Sequence, residues 1–321
     1  MSPVRRTPAL FVLSTGLAAL PAQVAFHDPD GRALVAADAE VETLAACLRY
    51  ADGPVWVASA HKLVFTDSGA GKLLQWTADQ GVTFVADCES GGGNALDPQG
   101  RLVSCQLLSR NLVLRDVDLT PIVLVCRYDG KRFNSPGDLA VRKDGTLWFT
   151  DPDYGLAGRR REQEGNRVYR FDPVSRSVWV VQCDFDEPDG ICFAPDHERI
   201  YIADSGRRHR IGAFPVEAGG TLGAALFWID GAANGLRCDV QGNLYAAAQD
   251  GIRIFSPDGR HLVTVSFPQV PNHCAFGGID RTELFVTAGP LLCRVAVRVP
   301  GAPLPPFEPA AGGIGSAPYV R

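Results

Sequence analysis

Short apolar runs alternate with polar turns along most of the chain, and one arrangement of them recurs six times. Each copy is a small turn, an apolar run, a turn rich in Gly or Asp, and a second apolar run. The copies read DGPVWVASAHKLVFTD from Asp52, GGNALDPQGRLVSC from Gly92, GDLAVRKDGTLWFTD from Gly137, DGICFAPDHERIYIAD from Asp189, NGLRCDVQGNLYAAA from Asn234 and NHCAFGGIDRTELFVTA from Asn272. Their starts are 40, 45, 52, 45 and 38 residues apart. Apolar runs this short, bounded by Gly, Pro, Asp and Asn, predict strands and not helices. A unit of this length repeated in tandem predicts an all-β fold, a six-bladed β-propeller with one four-stranded blade per repeat.

The stretches between the units extend this reading. NRVYRFDPVSRSVWVV and GIRIFSPDGRHLVTVSF each predict a hairpin forming the outer strands of a blade. The segment VETLAAC, Val41 to Cys47, precedes the first unit and is expected to pair into the last blade. That would close the ring and remove open sheet edges. Trp56, Val141, Phe193 and Cys238 each fall four residues after the start of their unit, where packing between blades is expected. The polar stretch Asp151–Asn166 has no period. It reads either as a lid over the channel mouth or as a surface insertion. The chain then divides into an extension or signal-like segment at 1–25, a propeller at 26–300 and a Pro/Gly-rich tail at 301–321.

Composition narrows the function classes. A length of 321 residues suits one closed all-β domain. A net charge of −5 argues against nucleic acid as a partner and leaves a small-molecule substrate. The basic runs Arg159–Arg161 and Arg207, Arg208 and Arg210 fall in loops, where solvated charge is the plain reading and capture of an anionic substrate the other. The 9 cysteines contain no CxxC pair, which excludes zinc fingers and suits a reducing, cytoplasmic setting. Against that, Arg5 and Arg6 precede an apolar run from Ala9 to Leu20, and Ala22 and Ala25 follow. This resembles a short secretory signal, so export is the alternative. The run is too short to span a bilayer. Nothing in the pattern indicates an oligomeric state.

The first position of each unit is Asp52, Gly92, Gly137, Asp189, Asn234 and Asn272, or His273 if the last unit is shifted by one. In a propeller such positions begin the innermost strands, beside the channel. Carboxylates and an amide oxygen aimed at one point repel each other unless a cation lies between them. Hard oxygen donors suit Ca2+, Mg2+ or Mn2+. The competing reading is that Asp-Gly and Asn-Gly are only turn dipeptides. No nucleophile-elbow, phosphate-loop or dinucleotide-binding motif occurs.

From Ala25 to about Val297 the chain resembles the gluconolactonase, senescence-marker-protein (regucalcin) and luciferin-regenerating-enzyme family. DGPVW at Asp52–Trp56, GKRFNSPGDLAVRKDGTLWFTDPDYGL at Gly130–Leu156, PDGICFAPD at Pro188–Asp196, NGLRCDVQGNLY at Asn234–Tyr245 and CAFGG at Cys274–Gly278 carry the resemblance. It implies a six-bladed propeller with one divalent ion on the axis and hydrolysis of a lactone or similar cyclic ester. Ca2+ is the first expectation, with Mg2+, Mn2+ or Zn2+ as alternatives. Carried over by position, Asp52, Asp189 and Asn234 would be metal ligands. The family usually has Glu, Asn and Asp at these three places, and Asn at Gly137. A His often found after the second unit is replaced around Gln106. The exchange at 189 and 234 conserves two carboxylates and one amide, but it moves the available base to Asp189. Asn134, Asn94 and His273 are expected to shape the pocket. The altered set leaves open a non-hydrolytic metal-assisted step, such as cyclisation or isomerisation, and a non-catalytic propeller that binds metal or a partner.

Overall fold

The computed structural model describes residues 19–116 and 119–303. The start of the signal-like run and the tail beyond 303 lie outside them. Among the described residues there is no α-helix, only three short 3-10 turns.

Six antiparallel sheets form the blades. Their first strands are Ala51–Val57, Gly91–Leu96, Leu139–Val141, Pro188–Phe193, Leu236–Cys238 and His273–Gly277. Each stands at one edge of its sheet and touches the first strand of the next blade, so the six enclose the axis. The ring closes as the sequence reading expects. Glu40–Ala45 is hydrogen-bonded beside Leu291–Ala296 in the last blade, with Val41 opposite Val295. Leu20–Pro21 then adds a fifth strand to this blade, and Val24–Phe26 adds one to the fifth blade. The boundary drawn at residue 25 therefore cuts through a strand.

Successive side chains on a strand face opposite sides of the sheet. Here each side of a blade meets a neighbouring blade, so both faces are apolar. The result is six hydrophobic clusters, one at each interface between blades. Cys192 packs toward the fifth blade while Phe193 packs with Trp148 of the third. At the closing interface Phe285 lies between Trp56 and Trp76, with ring centroids 5.5 and 5.3 Å away. Trp56, Val141, Phe193 and Cys238 are all buried. Trp179 and Trp228 are half-exposed on outer strands, under the guanidinium groups of Arg170 and Arg210. All nine cysteines are free.

Two Asp positions recur within the unit for separate reasons. Asp97, Asp144, Asp196 and Asp239 accept backbone N–H groups two residues on, fixing the turn between the first and second strands. Asp67, Asp151 and Asp204 end their second strands. They accept N–H groups from the segment entering the first strand: Arg49 and Tyr50, Asn134 and Ser135, Asp186 and Glu187. These buried carboxylates hold the chain where it turns in toward the axis.

Candidate functional site

The turn-in points surround one cavity of about 340 Å3 at the channel mouth. All six first positions line it: Asp52, Gly92, Gly137, Asp189, Asn234 and Asn272. Their backbones are tied to their neighbours around the ring. The Asn94 amide donates to the Gly53 carbonyl at 2.7 Å, and the Gly93 N–H donates to the Gly137 carbonyl at 2.7 Å. The Thr150 hydroxyl donates to the Asp189 carbonyl at 2.7 Å. The Gly235 N–H reaches the Asn272 carbonyl at 2.8 Å, and the Asn272 amide reaches the Ala51 carbonyl at 2.9 Å. Between the fourth and fifth blades the approach is closer still, because a Cβ at Gly190 would overlap the Asn234 carbonyl. The Asp-Gly and Asn-Gly pairs at 189 and 234 thus do more than turn the chain. Neither glycine has a positive φ; at Gly190 it is the missing Cβ that matters.

The second position of the units carries a further pattern. It is Gly at 53, 93, 190 and 235, but Asp138 in the third blade and His273 in the sixth. The Asp138 carboxylate lies over Gly93 and the His273 ring over Gly235, where added Cβ atoms would overlap them. The two side chains meet, with His273 Nε2 3.2 Å from Asp138 Oδ2. Asp138 Oδ2 also accepts the Ile191 N–H at 3.1 Å, and Arg237 stands 3.9 Å away. This buried group floors the cavity. Beyond it lies a smaller, mostly apolar cavity of about 90 Å3, lined by residues such as Leu139, Ile191 and Phe276.

The electrostatics above the floor are unbalanced. Burial raises the Asp138 carboxyl, but His273 and Arg237 outweigh it and hold the pKa below the usual carboxylate value. Asp189 has no such partner. Burial, followed by the charges of Asp52 and Asp138, pushes it up to about 7. Burial also raises Asp52, against the opposing pull of His273. Tyr154 and Tyr50 share the wall, and both phenols are raised, first by burial and then by these same carboxylates. The Tyr154 hydroxyl donates to Asp189 Oδ1 at 3.2 Å.

The expected residues divide into two groups. Asp52, Asp189, Asn234 and His273 all reach the cavity wall. Asn94 and Asn134 do not. Asn94 is fully buried, donating to Gly53 and Thr66 while accepting from Ser104 at 2.6 Å. Asn134 is equally buried, and its amide donates to Gly165 and Asn166. Both amides are committed to holding blades and loops together. Asp138 was not among the expected residues; the signal that could have found it is that, like His273, it replaces the Gly otherwise found at the second position. Tyr154 carried no comparable signal, because the path of the loop decides where it arrives. One residue of that loop, Tyr154, lines the channel mouth.

Among the described residues no group of three His, Cys, Asp or Glu side chains is arranged to hold a metal. The donor set on offer is instead two carboxylates and the Asn234 amide, all oxygen. An excess of negative charge, with the Asp189 carboxyl raised by burial and then by the Asp52 and Asp138 charges, fits a hard cation.

The family model described as the SMP-30/gluconolactonase/LRE-like region matches residues 50–289. A gluconolactonase of Zymomonas mobilis is 30% identical, over 81% of this chain and 82% of its own. Bovine regucalcin (Bos taurus) is 26% identical, over 74% of this chain and 82% of its own. The solved structure of a gluconolactonase from Xanthomonas campestris superposes with a TM-score of 0.81 at 30% identity, covering 88% of this chain and 98% of the other. The chain belongs to the SMP-30/gluconolactonase/LRE-like family.

Proposed function

We propose that this protein is a lactonase that opens a lactone or similar cyclic ester and depends on one divalent cation. Membership of a family that includes gluconolactonases supports the reaction class. The observation that carries the cation is the convergence of Asp52, Asp189 and Asn234 on one cavity, with Asp189 raised to about 7. These three residues would hold the cation, which supplies polarisation of the ring carbonyl and a more acidic water. Their oxygen donors favour Ca2+, with Mg2+, Mn2+ or Zn2+ as the alternatives.

The protein's own groups account for the rest. Asp189 is the base: it accepts a proton from the water that adds to the carbonyl carbon. The ring C–O bond then breaks, and the same proton returns to the leaving alkoxide, giving a hydroxy acid. Asn234 has no basic site for this step. Asp138 and His273 close the floor, so substrate enters and product leaves through the mouth. A cavity of about 340 Å3 accommodates a monosaccharide-sized lactone.

A panel of lactones assayed with cation-stripped protein tests this reading, repeated with Ca2+, Mg2+, Mn2+ and Zn2+ added singly. Hydrolysis that returns with one of these ions supports it. Full hydrolysis in the stripped protein removes the cation, and no hydrolysis under any condition removes the lactonase.

A further inference from the structure

Two of the six ring positions lack a side chain, and the structure fills them differently. At Gly92 an added Cβ would overlap the Gly137 carbonyl, so backbone occupies the space. At Gly137 the space belongs to a side chain from elsewhere. A Cβ there would lie 2.8 Å from Tyr154 Oη and 3.4 Å from Thr150 Oγ1. Tyr154 as a residue is 45% exposed and lines the cavity, while its hydroxyl bonds to Asp189.

The segment carrying it is pinned. The Ser135 hydroxyl donates to the Pro152 carbonyl at 2.5 Å and accepts the Gly155 N–H at 3.1 Å. Gly155 packs on Ser135 so closely that a Cβ would sit 2.7 Å from the Ser135 Cβ. Asn166 donates to Asp153 at 3.2 Å, and Arg161 forms an ion pair with the same carboxylate. Tyr154 is therefore presented by a fixed wall and not by a swinging lid.

We propose that Tyr154 is a substrate-positioning residue: it supplies the ring side chain that the third blade lacks at Gly137 and reads a hydroxyl group on the lactone. This rests on the lactonase reading. The chemistry follows from the donor inventory of a phenol. Its single proton is given to Asp189 Oδ1. Its lone pairs remain as acceptors beside the cavity, where a hydroxyl on the substrate can donate. The class selected is a lactone bearing ring or side-chain hydroxyls, over an unsubstituted lactone of the same ring size.

Tyr154→Phe removes the acceptor and keeps the ring. It should lower kcat/KM for glucono-δ-lactone about tenfold, mainly through KM, the loss expected for one hydrogen bond to a bound polar group. For δ-valerolactone the change should be limited to what the lost hydroxyl bond to Asp189 costs, and so be several-fold smaller than for glucono-δ-lactone. Gly137→Ala should reproduce this split by displacing the hydroxyl with Tyr154 still present, and it tests the same point if the first variant folds poorly. Equal losses on both lactones in both variants would mean that Tyr154 acts only through Asp189, and would overturn the proposal. So would unchanged kinetics. Wild-type protein that hydrolyses neither lactone overturns the lactonase reading itself, and this assignment with it.

Discussion

Asp189 has two roles in this account, and a single substitution separates them. Asp189→Asn keeps an oxygen donor toward the cation but cannot accept a proton. Turnover should fall by about a hundredfold or more, the range for losing a general base. Cation affinity should fall far less. Calorimetric titration beside steady-state kinetics checks this, and normal turnover at saturating cation would remove the base assignment. The raised carboxyl also sets a pH dependence. Without cation Asp189 titrates at about 7. Below that value a proton occupies the carboxylate, and a cation must displace it. Apparent cation affinity should therefore be highest above about pH 7 and weaken toward tenfold per unit below it. An affinity that stays level from neutral to acid pH would show that the cation does not bind Asp189.

At the scale of the element, the inner strands work because their starts touch. Gly190→Ala places a methyl group against the Asn234 carbonyl. The fourth and fifth blades must then separate at the mouth, moving Asp189 and Asn234 apart. The expected result is weakened cation binding with a melting temperature lowered by several degrees, the effect of about 1–3 kcal/mol of overpacking in a chain this long. Unchanged cation affinity would show that the spacing of these strands does not control the site. The same strands explain what was legible in the sequence. Phase within the unit identified all six cavity-lining first positions, because equivalent residues of a propeller meet at the axis. Asn94, expected to shape the pocket, lies two residues past its unit start and is absent from the lining of the mouth cavity. There its amide ties the first blade to the second. Asn134 lies before its unit and is held by the entry to the strand and the loop after Asp151. Tyr154 was out of reach for a different reason. Its place depends on Ser135, Asp153 and Gly155 holding an aperiodic loop, and spacing alone does not encode that.

On the scale of the whole molecule, closure of the ring turns six repeats into one site. The interface between the last and first blades is where the chain joins its own beginning, and Phe285 lies between Trp56 and Trp76 there. Phe285→Ala should cost about 3–5 kcal/mol of stability, as buried aromatic truncations do. Chemical denaturation checks it, and a loss below about 1 kcal/mol would mean the seam is not closed by this packing. Closure matters because it brings Asp52 of the first blade, Asp189 of the fourth and Asn234 of the fifth to a common cavity. The central claim is that these three residues hold one cation needed for lactone hydrolysis. The direct measurement is a titration of cation-stripped protein, following bound Ca2+ and glucono-δ-lactone turnover in the same samples. The account predicts that activity rises with occupancy and saturates at one ion per chain, and that Asp52→Ala shifts both curves together. Turnover that is complete before any ion binds, or an Asp52→Ala protein whose two curves coincide with the wild type, would contradict it.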